Sequence, residues 1–338
     1  MPTTNYGIPY KGSKSRIVDE IAEAIPYVGI DNFYDIFAGG CAVTHKMMLA
    51  KRYKHFYAND LDGQGLRLFL DAIAGRFHDE KRWISREDFF RLKDTDQYVA
   101  CCWSFGNNGR DYLYSQKIEP YKKACHYAIV LDDFSLFAEL CPEVVDVCKD
   151  ALAGITDTHE RRIKFGPAVV NWLKANGTEE MLTRNPLYSA CHTKKDTKTR
   201  PKGTTIGLQS LESLQSLERL QSLERPERLQ SSFLDYRDVE IKPNSIIYCD
   251  PPYKGTDGYN DAFDHEPFYD WCCRQTELVV VSEYTMPADR FTEVYAVKHR
   301  SRICATANKE AIERLFVPTC QLPKYKELMM RHCCLLFI

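Results

Sequence analysis

The 338-residue sequence predicts an α/β fold whose sheet is divided between the two ends of the chain. Three observations carry this. Near the N-terminus helix and strand periodicities alternate: Ile17, Ile21 and Ile25 recur at helical spacing between residues 13 and 25, and Phe33-Tyr34-Asp35-Ile36-Phe37 forms a short apolar strand. Strand-like runs return beyond residue 241, at 245–249, 278–282 and 294–298. From about residue 83 to 202 the chain is instead polar, aromatic and loop-rich, and reads as an insertion between the two halves.

Composition sets the class. With 44% hydrophobic and 12% aromatic residues the chain can bury a full core. No apolar run reaches the roughly 18 residues a membrane helix needs, and no secretory leader is recognisable, so no membrane partner and a cytoplasmic setting are expected. The fourteen cysteines include the adjacent pairs Cys101-Cys102, Cys272-Cys273 and Cys333-Cys334 but no C-x-x-C, so reduced, mostly buried thiols are expected and no metal site. Against 47 acidic side chains stand 45 basic ones, a net charge of −2 that announces no polyanionic partner for the chain as a whole. A basic surface must be local, and Lys194, Lys195, Lys198, Arg200 and Lys202 against the single acid Asp196 supply one.

Just before the second half a six-residue unit recurs, with leucines at 208, 211, 214, 217, 220 and 223. Each three-residue step falls about 60° short of a helical turn, so these leucines wind around a helix instead of forming a coiled-coil stripe. Two readings remain: a helix or tight turn clamped on several sides, or a surface excursion from which one unit, residues 214–219, can be deleted without loss of stability.

The strongest chemical signal is Asp250-Pro251-Pro252-Tyr253, which follows the strand at 245–249 and so stands at a strand's carboxyl end, where open α/β sheets bind ligands. The prolines hold the backbone extended. The Asp250 carboxylate and the carbonyl preceding Pro252 can then accept both hydrogens of one incoming amine, which pushes a delocalised amine, such as that of a nucleobase, towards a nucleophilic geometry. The Tyr253 face offers a stacking surface for an extruded base, with the hydroxyl expected to be dispensable.

A second motif is the strand 33–37 running into Ala38-Gly39-Gly40, with helical sequence from Cys41. Glycines there admit close backbone approach and place amide donors at a helix start. Twenty residues after Gly40 comes Asn59-Asp60, an acid suited to ribose hydroxyls. The segment Ile8-Pro9-Tyr10-Lys11-Gly12-Ser13-Lys14 imitates a phosphate-binding loop but has one residue between Gly12 and Lys14 and no preceding strand, so that reading is rejected. Tyr10 and Lys14 read instead as brackets for the adenine and carboxylate of a cofactor.

In this order the motifs resemble the Dam-type DNA adenine N6-methyltransferases, over residues 1–76 and about 233–316. The resemblance implies a Rossmann-like methyltransferase sheet and a target-recognition insertion. It implies S-adenosylmethionine as cofactor and double-stranded DNA as partner, with the chain a monomer. Tyr10, Lys14, Asp60, Asp235 and Asp250 would be cofactor contacts, Asp35, Phe37, Gly39 and Gly40 would complete that set, and Asp250, Pro251, Pro252 and Tyr253 would be catalytic. Residues 1–80 and 233–338 would form the catalytic domain, 81–207 the target-recognition insertion and 208–232 the repeat. The segment 103–110 is similar to phage-borne relatives, and a flap around Gly255, Gly258 and Tyr259 is implied.

Lesser candidates are His265 and Glu266 beyond the tetrad, Trp103, Phe105 and Asn107 for base contact, and Ser282-Glu283-Tyr284 at a strand end. Each has an ordinary reading as a surface turn, core aromatic or strand-end cluster. Cytosine C5 chemistry is disfavoured because no proline is followed by the attacking cysteine that chemistry uses. Cytosine N4 methylation and methylation of an RNA or protein amine remain as alternatives.

Overall fold

The computed structural model describes residues 6–10, 12–177, 187, 208–223, 226–253, 263–301 and 309–335. The chain divides into two compact units, one of Met1–Gly75 with Arg219–Ile338 and one of Arg76–Glu218.

The first unit is built on a seven-stranded sheet: β1 Asn32–Asp35, β2 His55–Asn59, β3 Leu229–Ser232, β4 Ser245–Cys249, β5 Leu278–Glu283, β6 Phe291–Ser301 and β7 Lys309–Pro318, in the spatial order β3-β2-β1-β4-β5-β7-β6. The first five in that order run parallel, and β7 lies antiparallel to both β5 and β6. This is the Rossmann-like sheet expected from the sequence. Its central strands read as continuous apolar runs because both faces are covered. Every residue of β1, β4 and β5 is buried. On one face Tyr34, Ile247, Cys249, Val279 and Val281 pack with Phe268 and Trp271; on the other Phe33 packs against Tyr53, Phe56 and Tyr248.

Three helices of this unit bear on the motifs: α1 Val18–Glu23, α2 Ala42–Ala50 and α3 Gln64–Ile73. The helix anticipated between residues 13 and 25 is split, a 3-10 turn at Lys14–Arg16 preceding α1. Ser13 explains the early turn, because its side chain accepts from the Ser15 amide and closes a start of its own.

The second unit corrects the loop-rich expectation, since it is helical: Arg86–Leu92, Gln97–Cys102, Glu119–Val130, Ser135–Leu140, Val145–Leu152 and Thr158–Asn176. Ser85, Asp96 and Asp157 cap three of these starts with their side chains. Trp83, Trp103, Tyr114 and His126 form an aromatic cluster here.

The repeat is likewise no surface excursion. Leu208, Leu211, Leu214, Leu217, Leu220 and Leu223 are all buried, none above 7% exposed. Residues Gln209–Glu218 are α-helical and Arg219–Ser222 continue as a 3-10 turn. Along the α-helical part, leucines three apart move around the axis and so are buried on several sides, as are Ser210 and Ser213 between them. In the 3-10 turn, which holds Leu220, three residues make one full turn. Ser210 meets the Tyr114 hydroxyl at 3.1 Å and Glu212 accepts from Arg162 at 3.0 Å, which anchors the helix inside the second unit.

Candidate active site

Five parallel strands bring their carboxyl ends to one edge of the sheet, and the motifs singled out in the sequence leave from that edge: the glycine turn after β1, Asp60 after β2, Asp235 after β3 and the tetrad after β4. Because β7 is antiparallel, its early residues reach the same edge, and Arg314 lies opposite Glu283 at the end of β5.

Asp250 is held by the N-terminal motif. Lys14 Nζ lies 2.8 Å from its Oδ1, with side-chain exposures of 12% and 18%, so the pair is largely shielded from water. Burial pushes the Asp250 carboxyl above its ordinary range; Lys14 opposes that shift and the charge of Glu313 adds to it. Lys14 also sits 4.5 Å over the Tyr253 ring centroid and 3.8 Å from Glu313 Oε1. The Tyr253 ring meets Tyr284 edge-on at 4.8 Å. Its hydroxyl donates to Glu313 and lies 3.1 Å from Ser282 Oγ, and burial foremost, then Asp250, raise its pKa so that it stays a donor. The Pro252 carbonyl is engaged by His265 Nε2 at 3.0 Å, while no protein donor is seen on the Pro251 carbonyl among the described contacts. Pro251 is buried.

The glycine turn is a tight three-way meeting. Gly39 has φ of +47°, the left-handed region, with the Tyr10 ring directly over it, and its amide donates to Asp60 Oδ2 at 2.8 Å. A Cβ on Gly65, in α3, would fall 2.3 Å from the Gly39 carbonyl oxygen, so only glycine allows α3 to close on the turn. Asp60 Oδ1 accepts the Gly63 amide at 3.0 Å. Two of about four lone-pair sites on that carboxylate are thereby used and the others stay available for hydroxyl donors. Asp35 is 2% exposed; its Oδ2 accepts from the Thr44 amide and hydroxyl, at 3.3 and 2.7 Å, and its Oδ1 has no hydrogen-bond partner. Burial lifts its pKa to about 7, against the Thr44 bonds and helped by Asp250 and Asp60.

The structure therefore brings Tyr10, Lys14, Asp35, Gly39, Gly40, Asp60, Asp250 and Tyr253 to one sheet edge. Phe37 packs instead into an aromatic cluster with Tyr236, Phe263 and Phe268. Asp235 is committed to Arg237 through both carboxylate oxygens, at 2.7 and 2.9 Å. Glu266 pairs with Arg290. Trp103 is fully buried, Asn107 bonds the Cys101 carbonyl, and Phe105 is 64% exposed. The flap around Gly255, Gly258 and Tyr259, the basic run from Lys194 to Lys202 and Lys11 lie outside the described residues.

Sequence reasoning missed Glu313, and it missed the parts played by two residues it had named, Ser282 and Asn59. Glu313 and Ser282 complete the Tyr253 hydroxyl network, Ser282 Oγ donating to Glu313 at 2.7 Å. Asn59 is a clamp: its amide nitrogen donates to the carbonyls of Ile36 and Leu234, and its oxygen accepts from Ser232 Oγ and the Leu234 amide, tying together the ends of β1, β2 and β3. Its place beside Asp60 was the only available signal; Glu313 carried none. Among the described residues no group of three or more His, Cys, Asp or Glu side chains could hold a metal ion, and no helix is long and apolar enough to cross a membrane.

Residues 10–142 match the family model of the D12 class N6 adenine-specific DNA methyltransferases. No curated protein matches the chain.

Proposed function

We propose, from the match of residues 10–142 to the D12 class N6 adenine-specific DNA methyltransferases, that the chain is an enzyme that methylates DNA adenine and that its residues divide the work as follows. The Asp250 carboxylate and the Pro251 carbonyl accept the two hydrogens of the adenine N6 amine, and Tyr253 stacks on the base once it leaves the duplex. The carrying observation is Asp250 itself, a shielded carboxylate at the sheet's carboxyl edge paired with Lys14 at 2.8 Å.

The methyl donor implied is S-adenosylmethionine, and the donor set fits it. Asp60 retains acceptor capacity after binding the Gly39 and Gly63 amides, as ribose hydroxyls require. Tyr10, Gly39 and Gly40 would line its path, with Lys14 and Asp250 towards the reacting end; Asp35 supports the turn from within through Thr44. Phe37 contributes through packing, and Asp235 joins only by sharing its carboxylate with Arg237. When bound, that donor supplies an electrophilic methyl on a sulfonium, a leaving group good enough that no covalent enzyme intermediate is needed. Lys14, 2.8 Å away, opposes the upward shift that burial gives the Asp250 carboxyl and so favours its acceptor form. The second unit, Arg76–Glu218, would carry target recognition on double-stranded DNA, the protein acting as a monomer.

The test is transfer of a radiolabelled methyl group from S-adenosylmethionine to duplex DNA, with RNA and bulk protein as alternative acceptors. Label in unmethylated duplex alone is expected; label in RNA or protein instead would overturn the reading.

A further inference from the structure

We propose that Glu313 is a positioning residue for methyl transfer, fixing the Tyr253 ring and the Lys14–Asp250 pair through its own carboxylate. This rests on the tetrad being the amine-accepting site. β7 is antiparallel to β5 with Leu315 opposite Ser282, and since side chains two apart share a face, Glu313 and Ser282 point to the same side as diagonal neighbours. Ser282 Oγ donates to Glu313 Oε1 at 2.7 Å, the Tyr253 hydroxyl donates to the same oxygen, and the two hydroxyls lie 3.1 Å apart. The phenol is thus held at its far end by a closed triangle, while Lys14 lies over the ring at 4.5 Å.

Lys14 in turn stands between two carboxylates, 2.8 Å from Asp250 and 3.8 Å from Glu313. With 3% side-chain exposure, Glu313 is nearly removed from water. For stability alone a packed apolar side chain serves as well as a buried charge, so the effect of this carboxylate is on geometry. Stacking and amine acceptance tolerate errors of only about 0.5 Å and 10–20°, and a ring anchored through its hydroxyl meets that demand where a free ring does not.

The experiment uses the full-length protein, unmethylated duplex DNA and S-adenosylmethionine under single-turnover conditions, with Glu313→Gln, Tyr253→Phe and the double variant. Melting temperature, cofactor Kd and the pH profile are measured alongside. Each single change is expected to slow methyl transfer up to about a hundredfold, the scale of a misplacement near 1 Å, with cofactor Kd and melting temperature close to wild type. The double variant should lose no more than the worse single, because both act on one hydrogen bond, which Tyr253→Phe removes and Glu313→Gln weakens by replacing a charged acceptor with a neutral one. In Glu313→Gln the acid limb of the profile should move to lower pH, since a negative neighbour of Asp250 is gone. Wild-type rates in Tyr253→Phe overturn the inference even if Glu313→Gln fails to fold; so do additive losses, or losses that follow melting temperature with an unmoved pH profile. A wild-type protein that methylates no adenine overturns the parent reading, and this inference with it.

Discussion

At the scale of single residues, the site depends on carboxylates kept in unfavourable places. Asp250 is lifted by burial and lowered by Lys14, so Lys14→Met should raise its pKa further and move the acid limb of methyl transfer to higher pH. A pH–rate profile checks this, and an unmoved limb would remove Lys14 from the account. Asp35 gives a prediction on stability. Its folded pKa of about 7 exceeds the ordinary 3.8, so its contribution is fully present below 3.8 and is lost as pH rises through about 7. His45 acts with the opposite sign: its Nδ1 accepts the Gly7 amide, burial lowers its pKa from 6.5 to about 4, and its contribution is lost as pH falls between those values. Asp35→Asn keeps an acceptor for Thr44 and removes the charge, so its melting temperature relative to wild type should climb by several degrees from pH 5 to pH 8. A constant difference would show that Asp35 is not protonated in the folded protein. Tyr253 alters the expectation drawn from sequence. Its ring face was legible in the tetrad, but its hydroxyl looked dispensable because the partner, Glu313, lies 60 residues away on a strand with no motif.

At the scale of elements, legibility followed burial. β4 is fully buried and its apolar run gave its limits to the residue, 245–249. β3, an edge strand of sequence Leu-Gln-Ser-Ser with two exposed residues, has no such pattern, and it escaped. β7 escaped for the same reason, its early half being mixed with charge, and with it went Glu313. The helices of the second unit escaped because several are only six to eight residues long, too short for a periodicity to stand out. The leucine repeat was the opposite case: its spacing was plain and its burial was not, since a three-residue period fits a helix buried all round as well as an excursion. With Leu217 fully buried, Leu217→Ala should cost about 2–5 kcal/mol in denaturant unfolding. Deletion of residues 214–219, which removes buried Leu214 and Leu217 together, should cost more. A deletion variant as stable as wild type would restore the excursion.

At the scale of the whole molecule, the chain leaves its sheet after β2 and α3, builds a separate helical unit from Arg76 to Glu218, and returns through the end of the repeat to add β3 beside β2. Both ends of the sequence carry parallel strands on which the motifs sit; the order in which those strands lie side by side was not legible, since pairing between segments so far apart in sequence leaves no local trace. What the arrangement achieves is to set Asp250, from one end of the chain, 2.8 Å from Lys14 at the other. The central claim is that this carboxylate directs a methyl group to the N6 amine of adenine, and nucleoside mass spectrometry of duplex DNA methylated by the wild-type protein and by Asp250→Ala tests it most directly. The account predicts N6-methyladenine from the wild type and about a hundredfold less from a variant that melts normally; N4-methylcytosine as the product, or undiminished N6-methyladenine from Asp250→Ala, would contradict it.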